Sequence, residues 1–147
     1  MHPVEVISRS FAELTTAELH DVLRLRCDVF VVEQVCVYPD IDGRDTESMT
    51  LHHWIARDRS IAAYARTLAD PDGATRVGRV VTAPRFRGEG LAALMITTII
   101  ETNPGPLVLD AQSYLTSWYE RMGFESTGPE FIEDGIAHVP MALTARR

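Results

Sequence analysis

The sequence predicts an α/β domain of the mixed, α+β kind, and three observations carry that expectation. Runs with helical spacing and runs rich in β-branched residues follow one another along the chain. Two strand-like runs, "LHHWIAR" and "IAAYARTLA", are separated only by Asp58-Arg59-Ser60, a hairpin signal that puts antiparallel pairing into the sheet. The run "TRVGRVVTA" leads through Gly88-Glu89-Gly90 into an alanine- and leucine-rich helical pattern.

In order, "VEVISRS" is expected as a short first strand. Thr15-Thr16-Ala17-Glu18 is a capping box, in which the threonine hydroxyl and the glutamate carboxylate each satisfy a backbone N–H at a helix start. The helix it opens carries Leu19, Val22, Leu23, Arg26 and Phe30 along one side and ends near "VVEQ". Val35 to Thr50 contains Pro39, Gly43 and several aspartates, so a loop or short helix is expected there. The hairpin follows, "DPDG" closes it, and the glycine junction leads to a helix that Asn103-Pro104-Gly105-Pro106 stops. "LVLDAQ" reads as a buried strand, "SYLTSWYERM" as a short helix, and Phe124 onward and "IAHVPMAL" as the closing strands. With no repeat or linker, residues 1–147 are expected to form a single domain.

The composition narrows the chemistry. All fourteen basic residues are arginine, so a Walker-type phosphate lysine, a Schiff-base lysine and a lysine general base are excluded. A net charge of −7 argues against nonspecific nucleic-acid binding, which needs a basic face, so no nucleic-acid partner is expected. No apolar run approaches the roughly 20 residues of a membrane span, and the first residues lack the pattern of a secretory signal, so a cytoplasmic protein is expected. Whether it is a monomer or a homodimer is not encoded in any readable pattern.

A glycine-lined turn between strand and helix presents free backbone N–H groups at the positive end of a helix dipole, so an anion is the expected guest. A nucleotide P-loop does not fit, because the lysine and hydroxyl residue after the second glycine are absent. Gly88-x-Gly90-x-x-Ala93, with Asp110 twenty residues beyond Gly90, imitates a dinucleotide fingerprint. It stands after a hairpin, however, with one helix–strand repeat remaining, too little for a doubly wound half-sheet.

Arg85-Phe86-Arg87-Gly88-Glu89-Gly90 resembles the R/Q-x-x-G-x-G/A motif of the GNAT acyltransferase superfamily, and "SWYERMGF" resembles the tyrosine-bearing helix and turn of its second motif. "LRLRCDVFVVEQVCVYPDIDGRD", "AYAR" and "EDGIAHVPM" are similar to its ElaA-like branch, so the likeness covers about Phe11 to Met141. The resemblance implies a central, mostly antiparallel mixed sheet of six to seven strands, flanked by about four helices and splayed where acetyl-CoA binds. It implies an acetyl-CoA-dependent N-acetyltransferase that modifies a primary amine of a small molecule or peptide. An alternative is a domain that binds acyl-CoA without turnover. Pantetheine would lie along Val80, Val81 and Thr82. The pyrophosphate would take backbone N–H groups of Arg87, Gly88, Glu89, Gly90, Leu91 and Ala92, with Arg85 or Arg87 offsetting charge. Tyr119 matches the family's general-acid tyrosine and would also touch the cofactor; its alternative role is core packing.

An amine of pKa about 10.4 is deprotonated only to roughly one part in a few thousand at pH 7, a penalty near 4–5 kcal/mol. Some group must therefore take a proton. Glu33 is the first candidate, because the resemblance places the end of the first helix beside the acceptor; His53, Asp110 and His138 follow, with Gln112 as a further acceptor contact. His52 and His53 share a strand, so their rings are expected on opposite faces, one of them reaching the site. Asp40-x-Asp42-Gly43-x-Asp45 lacks the glycine and glutamate positions of a calcium loop, and is read as turn chemistry with solvated charges. Cys27 is expected in the core, and no four-ligand metal set accompanies it and Cys36.

Overall fold

The computed structural model describes residues 4–144. Its strands are β1 (Ile7–Ser10), β2 (Leu51–Arg57), β3 (Ser60–Ala69), β4 (Thr75–Thr82), β5 (Leu107–Gln112), β6 (Glu125–Ser126), β7 (Phe131–Glu133) and β8 (Ile136–Leu143). The helices are α1 (Thr16–Arg26), α2 (Leu91–Thr102) and α3 (Thr116–Glu120). The strands form one sheet in the order β1-β2-β3-β4-β5-β8-β6, with β7 also paired to β8. Among the described residues eight strands replace the expected six to seven, because the segment after Phe124 pairs twice with β8 in short pieces, Glu125–Ser126 and then Phe131–Glu133. Among the described residues three α-helices replace the expected four, since residues 35–50 are held by turns.

The capping box forms as read: Glu18 N–H donates to Thr15 Oγ1 at 3.0 Å and Thr15 N–H to Glu18 Oε1 at 2.9 Å. Beyond Arg26 the helix widens into π turns over Cys27–Glu33, where Gln34 N–H reaches Val29 O and Cys36 N–H reaches Val31 O, each five residues back. The widened turns keep Val29 and Phe30 on the sheet while leaving Cys27 exposed, a correction to its expected place in the core. Val22, Leu25 and Phe30 cover Trp54, Tyr64 and Val81 on one face of the sheet. On the other face α2 buries Leu91, Met95, Ile96 and Ile99 against Ala63, Ala65, Leu107 and Leu109.

Pairing across the sheet is antiparallel except between β4 and β5, which run parallel and meet only at Thr75–Leu107 and Arg76–Val108 before diverging. The splay is assisted by a bulge. Against β3, the register moves from Arg66–Gly78 to Tyr64–Val81, which inserts one extra residue into β4. Side-chain parity therefore flips: Val77 packs on the α2 face, and Val81 on the α1 face. Arg79 stands in the bulge at φ 52°, a left-handed conformation unusual for a side chain of its size.

Candidate active site

The divergence of β4 from β5 opens a cleft of about 960 Å³ that reaches both faces of the sheet. It is lined by Val80, Val81, Thr82, Arg87 and Ala92 on one flank, and by Asp110, Gln112 and His138 on the other. Tyr119 and Trp118 close it on the α2 side, and Glu33, Tyr38 and Arg79 on the α1 side. A second cavity of about 240 Å³ adjoins it at Thr82, Arg87, Ala92 and Trp118, and follows Gly88, Gly90 and Leu91 into the first turn of α2.

The glycine turn has the conformation its sequence requires. Gly88 and Gly90 sit at φ 84° and 75°, where a side chain is strained, and a Cβ at either would face open space. Gly90 is the N-cap of α2 and makes no side-chain cap, so the first turn of a twelve-residue helix, which lines the cavity, keeps its N–H groups free of a side-chain cap. These groups and the unpaired edge of β4 fit a diphosphate carried on an extended chain.

The flanking side chains are less uniformly placed. Arg87 lines both cavities and donates to the Thr82 carbonyl at 3.3 Å. Arg85 turns away, over the Phe86 ring and toward Asp58 at 3.3 Å. Glu89 turns to Arg57 at 3.1 Å, leaving only its backbone for the turn.

Glu33, at the end of the π turns, meets Arg87 in a bidentate pair: Nη2–Oε1 is 2.6 Å and Nη1–Oε2 is 3.0 Å. The Arg87 hydrogen bonds hold the Glu33 carboxyl below the usual carboxylate range, and Arg87 is shifted up in return. Two residues expected on opposite sides of the reaction are thus joined across the mouth of the cleft.

Tyr119 is 5% exposed, with its ring edge-on to Trp118 at 4.8 Å and Phe124 at 5.8 Å. The ring is packed, as the packing alternative requires, and the residue also lines the cleft. Burial raises the phenol above its ordinary value, with Tyr114 adding to the effect, so the hydroxyl keeps its proton at neutral pH.

His53 lies outside the cleft, a correction to its expected place at the acceptor. It is 3% exposed, 2.8 Å from Ser8 Oγ and 2.9 Å from Thr67 Oγ1. Burial, with the neighbouring His52, pulls its ring down to about 4, so it is neutral. His52 is buried as well, between the Tyr64 hydroxyl and the Asp45 carbonyl, so neither ring reaches the cleft. Asp110 meets Arg76 at 3.3 Å, and Gln112 donates to Gln34 Oε1 at 3.4 Å. His138 lines the cleft beside Gln112, its partner across β5 and β8.

Asp40 and Asp45 are buried rather than solvated, a correction to their reading as solvated turn charges, whereas Asp42 is exposed and accepts the Arg44 N–H as a turn residue does. Arg26, fully buried, donates to Asp40 Oδ2 at 3.0 Å, the Asp40 carbonyl at 2.7 Å and Asp45 Oδ1 at 2.7 Å. Arg66 joins Asp42 at 2.9 Å to Asp45 at 3.1 Å, and Arg79 reaches Asp40 Oδ1 at 2.8 Å while lying over the Tyr38 ring. Three arginines and three aspartates thus fasten the loop to the sheet and build the α1-side wall. Arginine at a core-facing helix position, Arg26, and within the apolar run of β3, Arg66, was the available sequence signal. Among the described residues no cluster of His, Cys, Asp or Glu is arranged to hold a metal ion, and no helix is long and apolar enough to cross a membrane.

Comparison with known proteins agrees with this architecture. The family model described as "Acetyltransferase (GNAT) domain" matches residues 24–145. A UPF0039 protein of Mycobacterium tuberculosis is 39% identical over 143 residues, covering 93% of this chain and 92% of its own. Protein ElaA of Escherichia coli is 37% identical over 138 residues, covering 89% and 90%. Its crystal structure superposes with a TM-score of 0.89 at 34% identity, covering 96% of this chain and 99% of that one. The crystal structure of an acyl-CoA N-acyltransferase from Pseudomonas aeruginosa gives 0.90 at 35% identity, covering 97% and 100%. The chain therefore belongs to the GNAT acetyltransferase superfamily, in its ElaA-like branch.

Proposed function

We propose that the protein is an acetyl-CoA-dependent N-acetyltransferase that modifies a primary amine of a small molecule or peptide by direct transfer through a tetrahedral intermediate. The observation that carries the reading is the cleft between β4 and β5, which joins the glycine turn on one side to the wall built by the 35–50 loop on the other. Pantetheine extends along Val80, Val81 and Thr82, where β4 lacks a partner strand, and the diphosphate takes N–H groups between Arg87 and Ala92. The amine approaches from the side of Tyr38, Asp110 and Gln112. Backbone N–H groups near the end of β4 stabilise the oxyanion as the nitrogen attacks. Tyr119, neutral and on the opposite side, gives a proton to the departing thiolate, whose conjugate acid has a pKa of about 8.5 by analogy with cysteine.

The test is thiol release from acetyl-CoA with a panel of amines, polyamines, aminoglycosides and peptide N-termini, in wild type and Tyr119→Phe. The phenylalanine keeps the ring that packs between Trp118 and Phe124. Loss of roughly 10²-fold in kcat, with acetyl-CoA affinity within a few-fold of wild type, supports the assignment. A chain that binds acetyl-CoA and releases no thiol with any member of the panel is a binding module, and refutes the reading.

A further inference from the structure

His138 lies near the start of β8, opposite Gln112 of β5 and Phe131 of β7. Its ring stacks on that of Phe131, with centroids 5.6 Å apart and planes inclined by 21°. Nδ1 is 2.8 Å from the backbone oxygen of Ile136. A carbonyl oxygen can only accept, so Nδ1 carries the hydrogen, and in the neutral ring Nε2 keeps its lone pair. One contact fixes the plane of the ring and the other fixes its tautomer. Among the described residues Nε2 has no hydrogen-bond partner, and His138 lines the cleft that Tyr119 and Thr82 also line.

The other acceptors named from the sequence, and Asp42, are committed elsewhere, while Glu133 and Asp134 line the cleft as exposed carboxylates. Glu33 is chelated by Arg87, Asp110 is paired with Arg76, and Asp42 is bound by Arg66. His53 is sealed under β1 and β3.

From this arrangement we infer that His138 is the general base of the transfer, receiving at Nε2 the proton that the acceptor nitrogen loses. This deepens the transferase reading and rests on it. The amine enters with its nitrogen lone pair free, having left one proton in solvent. That pair forms the C–N bond to the thioester carbonyl, and the C=O π pair moves to oxygen. The new ammonium passes one proton to Nε2. The oxyanion pair returns, the C–S bond breaks with its electrons on sulfur, and Tyr119 supplies the thiol proton. His138 then loses its proton to solvent and Tyr119 regains one, leaving amide, free CoA thiol and both residues as they began. The charged and titratable groups on the elements beside His138 are Asp110 with Arg76 from β5 and β4, Glu133 from β7 and Asp134 from the turn, all lining the same cleft, and Glu130, held by Ser113.

The experiment measures kcat/KM, expressed on the concentration of unprotonated amine, against pH by thiol release from acetyl-CoA, using the full chain. Its probes are the fastest amine of the panel and hydroxylamine, a nucleophile small enough to need no shaped pocket. On that scale wild type should lose activity toward acid pH. His138→Gln should lose roughly 10²-fold at pH 7.5 and flatten that acid limb, while keeping the melting shift produced by CoA, which reports a folded binding site. A limb that persists in His138→Gln, or wild-type activity in that variant, overturns the assignment. ¹⁵N NMR of the histidine side chains is the second measurement, and a His138 ring carrying its hydrogen on Nε2 overturns it too. Thiol release by neither probe in wild type would instead refute the transferase reading, and the base assignment with it.

Discussion

Replacing Arg26 by methionine should remove a large part of the protein's stability. The guanidinium is inaccessible to solvent and donates to Asp40 Oδ2, the Asp40 carbonyl and Asp45 Oδ1. Methionine fills the space and leaves both carboxylates short of a cation. Asp45 keeps only Arg66 at 3.1 Å, and its Oδ2 already has no hydrogen-bond partner. Breaking a buried pair in this way costs about 3–5 kcal/mol. At about 2–4 °C per kcal/mol for a chain of this size, the melting temperature should fall by roughly 6–20 °C at pH 7. Asp45→Asn on the same background removes the orphaned charge and should recover part of the loss. The pH dependence follows from the carboxyl groups. For Asp42 and Asp45 burial opposes the charge, but hydrogen bonds from Arg66 and Arg26 outweigh it and lower both below the usual range. Their contribution is therefore complete above the unfolded value near pH 3.9 and is lost as pH falls through the folded values. Wild type should weaken progressively below about pH 4, and Arg26→Met less steeply. Calorimetry across that range is the assay. A melting temperature within 2 °C of wild type at pH 7 would mean that the carboxylates draw little from Arg26, and the account of the loop's anchorage would fail.

Two further outcomes test the cofactor side. Glu33→Gln frees Arg87 from an exposed bidentate pair, so CoA should bind roughly two- to fivefold tighter by titration calorimetry, the scale of an exposed ion pair; unchanged or weaker binding would place the diphosphate away from Arg87. Gly90→Glu adds a negative charge and a side chain at φ 75°, and should abolish the CoA-induced melting shift while the protein stays folded; normal CoA binding would refute the glycine-turn site.

The architecture was legible where local chemistry decides it. The capping box at Thr15, the hairpin over Asp58–Ser60 and the strand–glycine–helix junction each carry their own signal within a few residues, and each formed as read. The pairings of Phe131–Glu133 and Glu125–Ser126 with β8 rest on contacts across the sheet, which short strands do not announce. The same division runs through the site. The glycine turn is local and was found. The fate of His53 was not, because strand alternation gives the two faces and not which of them the Ser8 and Thr67 side chains close. The burial of the aspartates at 40 and 45 was not legible because their arginine partners lie 14 to 39 positions away in sequence.

Arg79 connects the opening of the cleft to its wall, and its substitution separates the two roles. Its backbone, at φ 52°, forms the bulge that turns β4 as it leaves β5; its side chain holds Asp40 at 2.8 Å and covers Tyr38. A left-handed conformation at a non-glycine residue costs on the order of 1–3 kcal/mol and persists where surrounding contacts impose it. Here the contacts are the guanidinium's own, so the loop helps to hold the bulge and the bulge aims the anchor of the loop. Glycine takes the same φ without strain and has no side chain. Arg79→Gly should therefore keep the β4 edge open to pantetheine, with CoA affinity within a few-fold of wild type, while KM for the best amine of the panel rises by roughly tenfold or more as Tyr38 and Asp42 lose their support. Arg79→Ala keeps the strain and loses the anchor, so it should weaken CoA binding as well. If glycine costs as much CoA affinity as alanine, the bulge depends on the side chain rather than on the left-handed backbone, and the two roles cannot be separated at this residue.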